Sequence, residues 1–347
     1  MKIIQISLIA LIYLAAHVEA QENSDNGFIL YEPPAPLIRK EPIYPASEAR
    51  RGGEGWVVIN FMVDQQGDVF DAEVIDSSGG EAFEKASLRA VLDWEYDPAN
   101  SDGEPIESGA TTMLTFVLGG INAGPRKSFV STFEKSVDAI QSNDWEEVEV
   151  LTNSLKELPK KNLFESSLLN YLQAAIASNE GNIHQEYKFL AKSLQGEYMH
   201  EQSGKFLPEA LVKIVRRRLF VLQIELRYYA EALNSYIRLA QFDESFAKSI
   251  APTINKINTL KTDDTAYWIK GHTDENGRWL INLLKKTFSV QIDEDAMPLQ
   301  ELKLHCNKKY AFFTFKNGEQ YQIPESWGEC DLIVLGLSNS EFTLWQQ

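Results

Sequence analysis

The chain has 347 residues, of which 44% are hydrophobic, 11% aromatic and 24% charged. This globular composition has room for two or three domains and excludes a wholly disordered, collagen-like or polytopic membrane chain. Lys and Arg number 33 against 50 Asp and Glu, a formal net charge of −17, so binding to phosphate backbones is disfavoured and nucleic acid is not an expected partner. With two cysteines and five scattered histidines there is little material for a multi-ligand metal centre, and no metal or other cofactor is expected.

Lys2, an apolar run over residues 3–16, and Val18 and Ala20 at positions −3 and −1 follow the order of a secretory signal cleaved after Ala20. The run falls short of the ~20 apolar residues that span a bilayer, which makes an uncleaved anchor the weaker alternative. Residues 21–40 are polar and then proline-rich, with Pro33, Pro34 and Pro36, a leader that favours extended geometry. Residues 56–63 are β-branched and aromatic, 64–68 with Gly67 form a turn, and 69–75 form a second strand. Asp64, Asp68 and Asp71 do not fit a calcium loop, because the glycine stands at its fourth position instead of its sixth, and a hairpin is the better reading.

Ser77-Ser78-Gly79-Gly80 breaks the second strand before a helix on which Phe83, Ala86, Ala90, Val91 and Trp94 recur at helical spacing. Pro98 ends that helix, and 111–118 returns as a strand. The order β-β-α-β makes a small antiparallel sheet with one helix over one face, spanning 41–120. Residues 126–260 then turn helical. Three segments resemble one another there: Asn143-Asp144-Trp145, Gly181-Asn182-Ile183 and Arg227-Tyr228-Tyr229, each a polar turn that leads into an amphipathic helix. Their spacing predicts a tetratricopeptide-like array, with an irregular helical bundle as the alternative.

Strand patterns resume over 262–347. Asn276-Gly277 and Asn317-Gly318 are strong hairpin signals, and 278–284, 287–292, 302–306, 310–315 and 332–337 read as strands of a sandwich-like domain. Cys306 and Cys330 both fall there and, in an exported chain, predict a structural disulfide. The expected fold class is therefore α+β and multidomain: a β-β-α-β domain, an all-α region and a small all-β domain. No catalytic constellation is present in the pattern: His184, His200, His272 and His305 lie in different elements, and neither a Gly-x-Ser-x-Gly elbow nor a His-Glu-x-x-His helix occurs. No enzyme activity is expected. Trp268, Trp279, Trp327 and Trp345 have the chemistry to stack on sugars, but core positions suit them better.

The first domain is the more specific part. Pro42-Ile43-Tyr44-Pro45, Ala49, Gly53-Glu54-Gly55, the hairpin at Gly67, Ser77-Ser78-Gly79 and Trp94-Glu95-Tyr96-Asp97-Pro98-Ala99 resemble, in order and spacing, the C-terminal domain of the TonB family over roughly residues 41–118. That resemblance implies a non-enzymatic domain that pairs its last strand with an extended segment of an outer-membrane receptor, by β-strand addition. The matching strand carries Thr111, Met113, Thr115 and Val117 on one face and Thr112, Leu114, Phe116 and Leu118 on the other; with Tyr44 and Pro45 these are the expected partner-binding residues. The family's transducers keep an N-terminal anchor with a Ser-x-x-x-His pattern, whereas Ser7 and His17 are ten positions apart here, and Ile43 stands where they commonly have Gln.

The resemblance and these departures together imply a periplasmic adaptor that captures an extended segment of an envelope or outer-membrane protein, a TonB-dependent receptor among the candidates. The alternative is an energy transducer anchored in the inner membrane and serving receptor-mediated transport; a homodimer through edge pairing is a further outcome. Residues 27–120 hold six basic and seventeen acidic side chains, 6 − 17 = −11, which favours a neutral or basic segment as the guest.

Overall fold

The computed structural model describes residues 31–118, 124–158, 161–194 and 206–347; the expected signal segment and its cleavage point at Ala20 lie outside the described residues. No helix among the described residues is long and apolar enough to cross a membrane.

The first domain runs through β1 (Tyr31–Glu32), β2 (Ala35–Ile38), α1 (Ala46–Arg51), β3 (Gly55–Val63), β4 (Val69–Ser77), α2 (Glu81–Leu92), β5 (Glu95–Asp97), β6 (Ala99–Ser101), β7 (Glu104–Ile106) and β8 (Ser108–Phe116). Its main sheet has the order β4-β3-β8, antiparallel throughout. Val57, Ile59, Phe61 and Val63, alternate residues of β3, pack on Phe83 and Val91 of α2 and on Trp94 and Tyr96, as the period of two requires. In the β3–β4 turn the Asp64 carboxylate accepts from Gln66 N and Asp68 N. Gly67 sits there at φ 90°, and a Cβ on it would lie 1.9 Å from Tyr96 O, so no other residue fits.

The described part of the leader, residues 31–40, includes two short strands, and both are paired: β2 lies along β5 and β1 along β6. Arg39 explains the docking. Its guanidinium stacks over the rings of Trp94 and Tyr96, 5.0 and 5.3 Å from their centroids, while Trp94 Nε1 donates to Lys40 O at 2.9 Å.

Seven helices follow among the described residues: α3 (Lys127–Gln141), α4 (Trp145–Glu157), α5 (Leu163–Asn179), α6 (Ile183–Ser193), α7 (Glu209–Glu225), α8 (Tyr229–Phe242) and α9 (Glu244–Thr262). Each packs on the next in chain order. The three related segments fall at the α3–α4, α5–α6 and α7–α8 turns and close identically. A left-handed residue (Asn143 at φ 59°, Gly181 at 73°, Arg227 at 63°) is followed by an N–H that reaches five residues back. Those bonds are Asp144 to Ala139 at 2.9 Å, Asn182 to Ala177 at 2.9 Å and Tyr228 to Gln223 at 2.8 Å, the Schellman pattern. Asp144 and Asn182 then cap the following helix with their side chains; Tyr228 instead buries its ring.

The C-terminal part is two four-stranded antiparallel sheets. One holds β10 (Arg278–Asn282), β15 (Cys330–Gly336), β12 (Leu299–Cys306) and β13 (Lys309–Thr314) in that order; the other holds β14 (Gln320–Gln322), β11 (Thr287–Gln291), β16 (Glu341–Gln346) and β9 (Tyr267–His272). Ile281, Leu302, Leu304, Leu332 and Val334 of the first sheet meet Ile269, Phe288, Val290, Phe342 and Leu344 of the second. The same core continues into Leu239 of α8 and Ile254 and Ile257 of α9. Cys306 and Cys330 face one another across the β12–β15 ladder and are disulfide-bonded.

Replacing both cysteines by serine is expected to lower the unfolding free energy by about 2–4 kcal/mol, read as a fall in the urea midpoint of the oxidised protein. An unchanged midpoint would show that the bridge contributes nothing to stability.

Candidate partner-binding edge

All nine residues of β3 are buried, on both faces. The face opposite α2 is covered from outside the domain. At one end Trp56 and Val58, with Met113 and Val117, pack on Leu163, Phe164 and Phe206 of the helical region. At the other end Met62 is paired with Gly109, and a Cβ on Gly109 would lie 3.1 Å from Cys306 O. Asn60, in between, is 2% exposed and donates to the Asp331 carboxylate at 3.3 Å.

The acidic side chains of the domain are met by bases from its neighbours. Lys303 donates to Asp71 at 2.9 Å and also to Glu73, His305 Nε2 bonds Asp71 at 2.8 Å, and Lys309 donates to Glu107 at 2.8 Å. Lys192 lies 3.8 Å from Asp76, Arg278 donates to Val74 O, and the rings of Phe70 and Tyr310 meet edge-on. Burial alone would raise the Asp71 carboxyl, but the His305 and Lys303 hydrogen bonds outweigh it and hold the group down at about 2. Burial pushes Asp331 up to about 6 and Glu231 of α8 up to about 7. The negative charge expected to act on a partner is thus in part neutralised within the chain.

β8 pairs with β3 on one side and has no strand on the other among the described residues. Ser78 N donates to Trp56 O, and Trp56 N donates to Ser78 Oγ, both at 3.0 Å, so both polar groups of Trp56 face β4. In an antiparallel ladder its partner Thr115 must then turn its own N–H and C=O away from β3. By alternation Met113, Thr111 and Gly109 do the same. Cys306 abuts the Gly109 end, which leaves the outward groups of Thr111, Met113 and Thr115 along the edge. Thr112, Leu114 and Phe116 bond to β3 and face α2; Leu114 and Phe116 belong to the core there, and Thr112 is buried.

Val117 and Leu118 lie past the end of the strand, which starts three residues earlier than the sequence pattern suggests and stops at Phe116. Glu54 is the reason: its carboxylate accepts from Leu118 N at 3.1 Å and from Leu163 N at 3.3 Å, ending the ladder and tying the domain to α5. Nothing in the strand pattern pointed to Glu54. Tyr44 braces the same end, with its ring edge-on to Phe116 and Phe83 at 5.6 and 5.9 Å and its hydroxyl donating to Gly53 O at 2.5 Å. Burial, then Glu54 and Glu48, push its hydroxyl up to about 12. Pro45 opens α1, and Ile43 beside it is 87% exposed.

A three-stranded antiparallel sheet with one covering helix and β8 at its rim defines a small α+β domain. Residues 40–118 match the family model of the Gram-negative bacterial TonB protein C-terminal, so this segment is similar to that domain. Protein TonB of Vibrio cholerae is 32% identical over 102 residues, which are 29% of this chain and 42% of the relative. Protein tonB2 of Pseudomonas aeruginosa is 40% identical over 82 residues, 24% of this chain and 30% of the relative. The chain thus spans less than half the length of these curated relatives. The solution structure of the Pseudomonas aeruginosa TonB C-terminal domain is 29% identical and aligns with 25% of this chain and 88% of its own, with a TM-score of 0.23.

The carboxylates give stability a signed pH dependence. Asp71, held at about 2 against an ordinary 3.8, contributes stability that is complete above about pH 4 and lost as pH falls towards 2. Asp331 and Glu231, raised to about 6 and 7, act the other way and withdraw stability as pH rises from about 4 to 7. The urea midpoint is expected to peak near pH 4–5, and Asp71→Asn is expected to flatten the acid limb alone. A wild-type midpoint that keeps rising between pH 5 and 8 would contradict this assignment.

Proposed function

We propose that the chain is a non-enzymatic periplasmic adaptor whose TonB C-terminal domain takes an extended segment of an envelope or outer-membrane protein as an added strand along β8. The observation that carries this reading is the row of outward N–H and C=O groups at Thr111, Met113 and Thr115, on a strand with a single partner among the described residues. Unpaired strand groups are a template for another backbone, and the partner's main chain supplies most of the recognition. The three identical inter-helix turns favour a tetratricopeptide-like array, which would offer a second protein-binding surface. A TonB-dependent receptor is one candidate guest, and a second copy of β8 is its competitor.

The similarity to TonB proteins of Vibrio and Pseudomonas favours a second reading, an energy transducer anchored in the inner membrane and working on outer-membrane receptors. N-terminal sequencing of the protein from the envelope separates the two: a start at Gln21 is expected for the adaptor, and a retained Met1 for the transducer.

Thr115→Pro tests the edge. Because the Thr115 N–H points away from β3, proline removes a free-edge donor and leaves the β3–β8 bonds in place. Capture of partners from an envelope extract by the full chain is expected to fall roughly tenfold or more, the factor given by about 1.4 kcal/mol. Equal recovery by wild type and variant would remove β8 as the binding surface.

A further inference from the structure

A cavity of about 410 Å³ lies where the first domain, the helices and the C-terminal sheets meet. Its wall includes Thr111 of β8, Gln223 of α7, Glu231 and Arg238 of α8, Asn282 of β10 and Asp331 of β15. The volume is within the range of specific ligand pockets.

Two acceptors on this wall are buried without a donor: Gln223 Oε1, on a side chain 2% exposed, and Glu231 Oε2. Glu231 Oε1 accepts from Asn282 N at 2.9 Å, so the carboxylate is fixed with its second oxygen left open. Asp331 is already served by Asn60 and Asn282. Buried acceptors of this kind call for a donor, and a carboxylate among them calls for a cation. Arg238 sets one positive charge against the two carboxylates, which leaves the wall net acidic when both are ionised.

The position of Thr111 links the cavity to the edge. A residue that pairs with Thr111 from an added strand places its side chain on the same face as Thr111. That face also carries Asn60, the partner of Thr111 in the β3–β8 register, and it opens on the cavity. We propose that the cavity receives the guanidinium of an arginine in the captured segment, at the position paired with Thr111, with Glu231 Oε2 and Gln223 Oε1 as its acceptors. This inference rests on the strand-addition reading and adds a side-chain preference to it. Arginine suits the site because it keeps its charge and carries several donors in one rigid plane.

The test uses the full chain at pH 8 and fluorescence anisotropy with eight-residue Thr/Val peptides, in which arginine or its neutral isostere citrulline is scanned through each position. Wild type is expected to bind the best arginine peptide at least about tenfold tighter than its citrulline twin. Glu231→Gln, which keeps an acceptor for Asn282 N, is expected to lose that preference, and Thr115→Pro to weaken both peptides. Equal affinity of the twins at every position, or a preference that survives in Glu231→Gln, overturns the arginine site and leaves the edge reading standing. Undiminished binding to Thr115→Pro overturns the edge reading instead. If no peptide binds, that reading falls and N-butylguanidinium decides the cavity alone: a rise in wild-type Tm that Glu231→Gln does not share supports it, and equal shifts overturn it.

Discussion

Strand β3 is out of water on both faces along its whole length, and the architecture follows from that requirement. A three-stranded sheet with a single helix can cover one face only. The other carries Trp56, Val58 and Met62, side chains whose burial is worth roughly 1.5–3 kcal/mol each and which would otherwise form an apolar patch. The helical region closes over the Trp56 end and the C-terminal sheet over the Met62 end. With both faces of the sheet covered, its backbone rim is the part left without a strand partner among the described residues.

Charge fixes how the closure is registered. Lys303 lies between Asp71 and Glu73 with His305 on the far side of Asp71, all four partly or largely withdrawn from solvent. Desolvating such groups offsets much of their attraction, so beyond the pH-dependent contribution of Asp71 the cluster adds little net stability. Its effect is on alignment: the wrong register would leave buried charge unpaired, at a cost well above the gain from the right one. The same cluster absorbs acidity that the composition of residues 27–120 alone would assign to the binding surface.

Much of this was legible in the residues. The β-β-α-β order, the Gly67 turn, the change to helix after Arg126 and the cysteine pair all follow from local pattern and turn chemistry. The three inter-helix turns were legible as polar anchors, but their common left-handed residue was not, because Asn143, Gly181 and Arg227 share a conformation and no side-chain chemistry. β9, β14 and β16 were not anticipated: β14 is three residues long, and β9 and β16 pair with one another from opposite ends of the C-terminal part. The pairing of β1 and β2 was missed for the same reason. A sign of two-sided burial was present throughout: Trp-Val-Val-Ile-Asn-Phe-Met-Val over 56–63 is nearly continuous in its apolar character, where a sheet wet on one side alternates. Only the lone Asn60 interrupts it, and its partner Asp331 stands 271 positions away.

The length of the open rim limits what the first domain can do alone. From Thr111 to Thr115 the strand covers about 14 Å at ~3.4 Å per residue, and three outward residues offer at most about six backbone hydrogen bonds. At roughly 0.5–1.5 kcal/mol net for each, before the entropy of ordering a flexible segment is subtracted, such a ladder holds a peptide weakly and with little sequence preference. Selectivity must therefore come from what borders the rim. In an isolated domain that border is solvent; in this chain it is the junction with α7, α8 and β15, where Thr111 shares a cavity with buried polar groups from both other parts. The helices and the C-terminal sheets thus cover the apolar face and, by the same placement, line the approach to the strand edge.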